Sequence, residues 1–185
     1  VSGELKKWHK VTVSFPGPAA NEMDNLPNPF LDYRLLVSFT HPASGKTLEV
    51  PGFFAGDGNG ASAGTIWQVN FAPEEAGEWQ YVASFRSGSE VAINLDPLAG
   101  SADSFNGATG SFQIADLDAN APGFYKWGRL AYQETGNASE RHYLKFLDGG
   151  YWIKGGADSP ENFFGYAEFD NTTKSSSGKG VLHTY

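Results

Sequence analysis

Acidic side chains, a glycine-rich run, four histidines and five tryptophans are the residues here whose types and spacing could do chemistry. Cleaving a glycosidic bond takes two carboxyl groups, one protonated and one ionised, about 5 Å apart or somewhat further. Glu74 and Glu75 are adjacent on a turn. Neighbouring side chains there point apart, so the pair reads as a solvated corner. Asp158 and Glu161 flank Ser159-Pro160. Ser159 can cap a helix, Pro160 suits its first turn and Glu161 favours its positive end. The run GDGNGASAG, residues 56–64, brings Asp57 and Asn59 close together. Alternating oxygens of this kind can hold calcium, but the twelve-residue loop pattern and the further acids it needs are missing. The run reads foremost as a loop between strands, with a sugar contact, a domain contact or calcium as the other readings. His9, His41, His142 and His183 lack metal-site spacing. No Gly-x-Ser-x-Gly elbow or phosphate-cradling motif occurs. No cofactor or metal is expected.

The tryptophans divide by strand phase. Trp67 and Trp79 fall on apolar faces and belong to a core. Trp8 is out of phase with Val11 and Val13, which turns it towards solvent. Trp127 and Trp152 lie late in the chain. An exposed indole can stack on the C–H face of a sugar, which makes Trp8 and Trp152 candidate substrate contacts. The competing role is to seal a contact between two domains.

Period-two alternation supplies the elements that would position these groups. Val11, Val13 and Phe15 share one face of a strand; so do Tyr33, Leu35, Val37 and Phe39; Thr65, Trp67, Val69 and Phe71; and Trp79, Tyr81, Ala83 and Phe85. Weaker strands fall at residues 48–54, 91–95 and around Phe112 and Ile114. Turn chemistry separates them at Pro16–Pro18, Leu26–Pro29 and Ala43–Lys46. About seven short strands at this spacing predict a β-sandwich. The run PEEAGEWQY adds an acidic-x-Gly-x-aromatic corner, in which the aromatic pins a strand to the preceding loop.

With 185 residues the chain has room for one sandwich of roughly 100 residues and an additional segment. The acidic, alternation-free run 116–124 marks the boundary. Three domain-level segments are expected: a sandwich over 1–117, a linker and hairpin over 118–139, and a further segment over 140–185. A net charge of −8, with no basic runs, disfavours nucleic acid as a partner. No apolar stretch approaches the roughly 18 residues a membrane span requires. Cysteine is absent, so disulfides and thiolate sites are excluded.

Five runs carry a resemblance: GELKKWHKVTVSF, NPFLDYRLLVSFTHPASGK, VPGFFAGDGN, WQVNFAPEEAGEWQYVASFRSG and YWIKGGADSPENFFGYAEFD. With them the chain resembles the immunoglobulin-like N-terminal domain of unknown function that precedes a glycoside-hydrolase-like (β/α)8 barrel in secreted bacterial proteins. The resemblance implies a mainly β fold, an immunoglobulin-like sandwich followed by the truncated start of a barrel over 140–185. It implies a secreted or periplasmic bacterial protein whose substrate is a polysaccharide or oligosaccharide. If YWIKG is a barrel strand, Asp158 and Asn162 sit at its C-terminal end, where barrel sites are built. Both then become candidate substrate contacts, with helix capping the competing role of Asp158. No catalytic residue carries over, because a barrel's acid and nucleophile lie on later strands.

Two functions follow. In the first the chain is a non-catalytic scaffold of a polysaccharide-degrading glycoside hydrolase. Its partner is then the remaining barrel, on the same or a separate polypeptide, packed against the aromatics of 151–169. In the second it is an independent carbohydrate-binding module. A binding module is retarded on a polysaccharide gel, and Trp8→Ala or Trp152→Ala abolishes the shift; a scaffold is not retarded.

Overall fold

The computed structural model describes residues 1–132, 143–153 and 155. The chain divides into two compact units, Val1–Tyr151 and Trp152–Tyr185. Two antiparallel sheets of the first unit share its core. One runs in the order β1 (Ser2–Gly3), β2 (Val11–Asn21), β6 (Ala63–Phe71), β5 (Phe53–Phe54). The other runs β4 (Lys46–Pro51), β3 (Tyr33–His41), β7 (Gly77–Ser87), with β8 (Ser101–Ala102) and β9 (Thr109–Ile114) both paired to β7.

Alternation sets the register. Val11, Val13 and Phe15 stand opposite Phe71, Val69 and Trp67, while Leu35 and Val37 stand opposite Phe85 and Ala83. These inward faces merge into one buried core. Aromatic rings knit the two sheets together: Phe39 stacks on Phe71 with centroids 4.2 Å apart, and Trp67 meets Phe85 edge-on at 4.9 Å. Each such side chain gains about 1.5–3 kcal/mol on full burial. The fold is thus mainly β and antiparallel, with very little helix among the described residues.

Three expectations change at the level of elements. The run Leu48–Phe54 is two strands in different sheets, joined by Gly52. The Gly52 N–H donates to the Leu35 carbonyl at 2.9 Å, and a Cβ there would press on the Gln68 carbonyl oxygen at 2.7 Å. Only a residue without a side chain crosses between the sheets at this point. Pro16–Pro18 is a bulge inside β2 rather than a turn, with the register shifting between Pro16 and Ala20. β1 covers only the start of β2, so these prolines lie on an open edge where no ladder donor is missed. Residues 91–95 form a 3-10 turn (Val91–Ile93) and a loop instead of a strand. Arg34 draws the Val91 and Asn94 carbonyls of that segment inward, as described below.

The corner forms as the sequence implies. The Trp79 indole donates to the Glu75 carbonyl at 2.9 Å. Gly77, at φ +120, lies beneath His41, where a Cβ would meet Nε2 at 2.8 Å. His41 Nε2 faces the Ala76 carbonyl at 3.1 Å. The carboxylates are not a solvated corner, however. Glu74 pairs with Lys46 and, at 3.2 Å, with Arg129, while Glu75 lies 3.0 Å from His41 Nδ1. Burial pushes the Glu74 carboxyl up, but hydrogen bonds and charge from Lys46 and Arg129 outweigh it and hold the group below its ordinary value near 4.5.

Folded Glu74 therefore binds its proton less readily than the unfolded residue does. Its ion pairs add stability above the ordinary carboxylate value and lose it as pH falls through the lower folded value. Both cations are partly solvated, so the contribution is about 1 kcal/mol at most. Unfolding at pH 7 and pH 3 should show a smaller acid loss in Glu74→Gln than in the parent. Identical losses would contradict the ion-pair assignment.

Beyond the sandwich, Phe124–Trp127 forms one helical turn, α1. β10 (Leu130–Tyr132) and β11 (Leu144–Phe146) then pair antiparallel, and β12 (Tyr151–Trp152) follows in the sheet order. The helix expected from Ser159 lies outside the described residues.

Candidate functional site

The two ends of the sandwich are built differently. At one end the chain after β9 is fastened down. Lys7 Nζ and the Trp8 indole both reach Asp148 Oδ2, at 2.7 and 2.5 Å. The Trp8 N–H donates to the Pro73 carbonyl at 2.8 Å, and Arg129 reaches Glu74. Gly128 lies flat against the Trp8 ring, where a Cβ would collide with the indole. Trp8 is consequently only 8% exposed. The expectation that it faces solvent is corrected: positive φ (+66) turns its side chain out of the strand phase, but onto Gly128 and Asp148 rather than into water. Beyond this joint Phe124 and Tyr125 on α1, Tyr132 and Tyr151 on the short sheet, and Tyr143 just before β11 are exposed to solvent. Trp152 is 37% exposed. Asp158 and Asn162 lie outside the described residues.

Beside the joint, Glu4, His9 and Asp118 bring potential metal ligands within 4.8 Å of one another. The Lys6 ammonium already stands between the acids, 3.1 Å from Glu4 and 2.9 Å from Asp118. The cluster is a salt-bridge network centred on Lys6, with Asp118 held below its ordinary value by that lysine.

At the other end three loops meet. Loop 22–32 joins β2 to β3, loop 55–62 precedes β6, and loop 88–100 follows β7. Their polar groups point inward, onto backbone. Asp32 accepts from the Asn28 N–H at 2.8 Å and the Glu90 N–H at 2.9 Å, tying the first loop to the third. These hydrogen bonds hold its carboxyl below the ordinary value. Arg34 donates to the carbonyls of Val91, Asn94, Asp96 and Pro97. Arg86, its cross-strand neighbour, donates to those of Leu98, Ala99 and Gly100. The Asp57 carboxylate accepts from the Asn59 and Ala61 N–H groups at 2.7 and 3.1 Å. Asp57 therefore shapes its own loop, and the calcium reading loses its main ligand. With the polar atoms turned in, apolar side chains are left outside: Met23, Leu26, Phe30, Ile93, Leu98 and, at 98% exposure, Leu95.

Phe53 stands between two depressions at this end. One, about 350 Å³, is lined by Glu22, Phe53, Gln68, Gly58, Gly60 and Ala61, among others. The second, about 180 Å³, is more apolar and includes Phe30, Tyr33, Arg34, Pro51 and Trp67. Phe54 is buried and Phe53 is 42% exposed. The sequence singled out the glycine-rich loop but not Phe53. The signal was the doubled Phe after Gly52, since only one of two successive strand residues can face the core.

The one adjacent acid pair of the sandwich, Glu74 and Glu75, is occupied by Lys46, Arg129 and His41. Residues 4–86 match the model of a family described as a domain of unknown function, DUF5060. No curated protein matches the chain. A crystal structure described as a "putative glycoside hydrolase" from Bacteroides vulgatus ATCC 8482 is similar at 23% identity and a TM-score of 0.47, over 80% of this chain and 21% of that one. The chain thus spans about a fifth of the length of that protein.

Proposed function

We propose that this chain is a non-catalytic, immunoglobulin-like N-terminal scaffold of a secreted or periplasmic bacterial glycoside hydrolase that degrades polysaccharide. Bond cleavage belongs in this reading to a (β/α)8 barrel that begins within residues 140–185, on the same or a separate polypeptide. The observation that carries the reading is the joint at Trp8. Lys7, Trp8 and Glu74 fasten the segment after the sandwich at Asp148 and Arg129. A free linker needs no such fastening; a support for further structure does. The exposed aromatics beyond the joint suit packing against more protein. Asp158, Asn162 and Trp152 remain candidate substrate contacts of the proposed barrel. The alternative, an independent carbohydrate-binding module, gains its best support from the Phe53 groove.

In the full-length protein, Trp8→Ala should lower the temperature of thermal inactivation by at least about 5 °C. Initial hydrolysis rates at 25 °C should stay within about twofold. A folded variant with abolished hydrolysis at 25 °C would place Trp8 in the chemistry and overturn the scaffold reading. An unchanged inactivation temperature would overturn it too.

The exposed apolar residues Tyr151 and Ile153 lead to a further expectation for the isolated chain. It should associate or bind an apolar dye. In size-exclusion chromatography with light scattering, a dye-free monomer of 19.9 kDa would refute a missing apolar partner.

A further inference from the structure

We infer that the groove between Phe53 and the 55–62 loop binds a single chain of neutral sugar residues. The inference rests on the polysaccharide reading and adds a contact at the end of the sandwich opposite the Trp8 joint. A volume of about 350 Å³ lies within the ~300–1,000 Å³ of ligand sites. Phe53 supplies an apolar ring, 42% exposed, that can take the C–H face of a pyranose. Gln68 supplies an oriented amide. Its Nε2 donates to Ser14 Oγ at 3.1 Å, leaving a second N–H and the carbonyl oxygen for hydroxyl groups.

The loop wall is organised before any ligand arrives. The Asp57 carboxylate accepts from two amides of its own loop, and a Cβ on Gly58 would come within 3.4 Å of Gln68 and Ile66. A preorganised wall spares a ligand the cost of ordering it. Charge narrows the class. Glu22 lines the groove and the chain carries a net charge of −8, so uronate-rich or sulfated chains are repelled. Geometry narrows it further. A crystalline polysaccharide surface calls for several coplanar rings, and this groove offers one. The outer face of the second sheet offers none, carrying Ser38, Thr40, Thr47, Gln80, Ser84 and Ser111 instead. A soluble, single, uncharged chain is the ligand that remains.

Amide NMR of the ¹⁵N-labelled 185-residue chain tests this with cellohexaose, xylohexaose, mannohexaose and laminarihexaose, and with hexagalacturonate as the anionic comparison. At least one neutral hexamer should give saturable shifts confined to residues 53–61 and the Gln68 side chain. Phe53→Ala should weaken that binding at least about tenfold and Gln68→Ala severalfold. Ser38→Ala, on the other sheet's outer face, should leave it unchanged. Phe53 is half-exposed, so its alanine variant keeps the fold, which the unperturbed remainder of the spectrum verifies. No saturable shift with any neutral hexamer, shifts centred elsewhere, or tighter binding of hexagalacturonate would each overturn the inference. None of these outcomes bears on the Trp8 joint, which thermal inactivation of the full-length Trp8→Ala variant tests on its own.

Discussion

Replacing Trp79 by alanine should cost about 3–5 kcal/mol, among the largest losses a single core substitution produces. The side chain is fully buried, meets Phe71 edge-on at 4.9 Å and packs beside His41 at 5.2 Å. It also pins the corner by donating to the Glu75 carbonyl. Domains of this kind have about 5–15 kcal/mol in total, so the variant is marginal. Trp79→Phe separates the two roles. It keeps most of the ring but leaves the carbonyl unpartnered, at about 1–3 kcal/mol. Urea unfolding followed by circular dichroism measures both. A Trp79→Ala variant within about 1 kcal/mol of the parent would mean that the corner does not organise the fold.

Gly56→Ala should be the most damaging substitution in the glycine-rich loop. Gly56 has φ +57, and a Cβ there would be driven into the Ala61 carbonyl oxygen, which is backbone and cannot rotate away. Gly64 is closed in the same manner by the Gly56 carbonyl and the Asp57 nitrogen. Gly60 is the internal comparison. It also has positive φ, +104, but nothing lies within 4 Å of a Cβ. Gly60→Ala should therefore cost only its backbone strain, about 1–2 kcal/mol, and Gly56→Ala at least about 2 kcal/mol more. Thermal unfolding of the two variants measures the difference. Equal losses would show that the loop does not close on itself as described.

Most of the sandwich was legible because its core strands obey one rule. Val11, Val13 and Phe15 alternate in the sequence and face Phe71, Val69 and Trp67 in the fold. Trp79 at the corner was legible for the same reason, with Gly77 marking the turn before it. The departures have local physical causes. Residues 91–95 look like a strand, but Arg34 takes the Val91 and Asn94 carbonyls from 57 or more positions away, a pairing that periodicity cannot register. Trp8 looked exposed because strand phase assumes extended backbone, and its positive φ breaks that assumption. Glu74 and Glu75 looked solvated because Lys46 and Arg129 reach them from distant segments. The Phe53 groove is set by a sheet-to-sheet crossing at Gly52, which is a tertiary event.

The scaffold reading places all bond cleavage outside this chain, and one assay meets that claim head-on. The purified 185-residue chain is incubated with a panel of plant, algal and microbial polysaccharides, and new reducing ends are measured against time. No release above the substrate blank is expected on any of them. Time-dependent release that persists through further purification and disappears in Glu74→Gln or Glu75→Gln would contradict it, placing the chemistry on the sandwich itself.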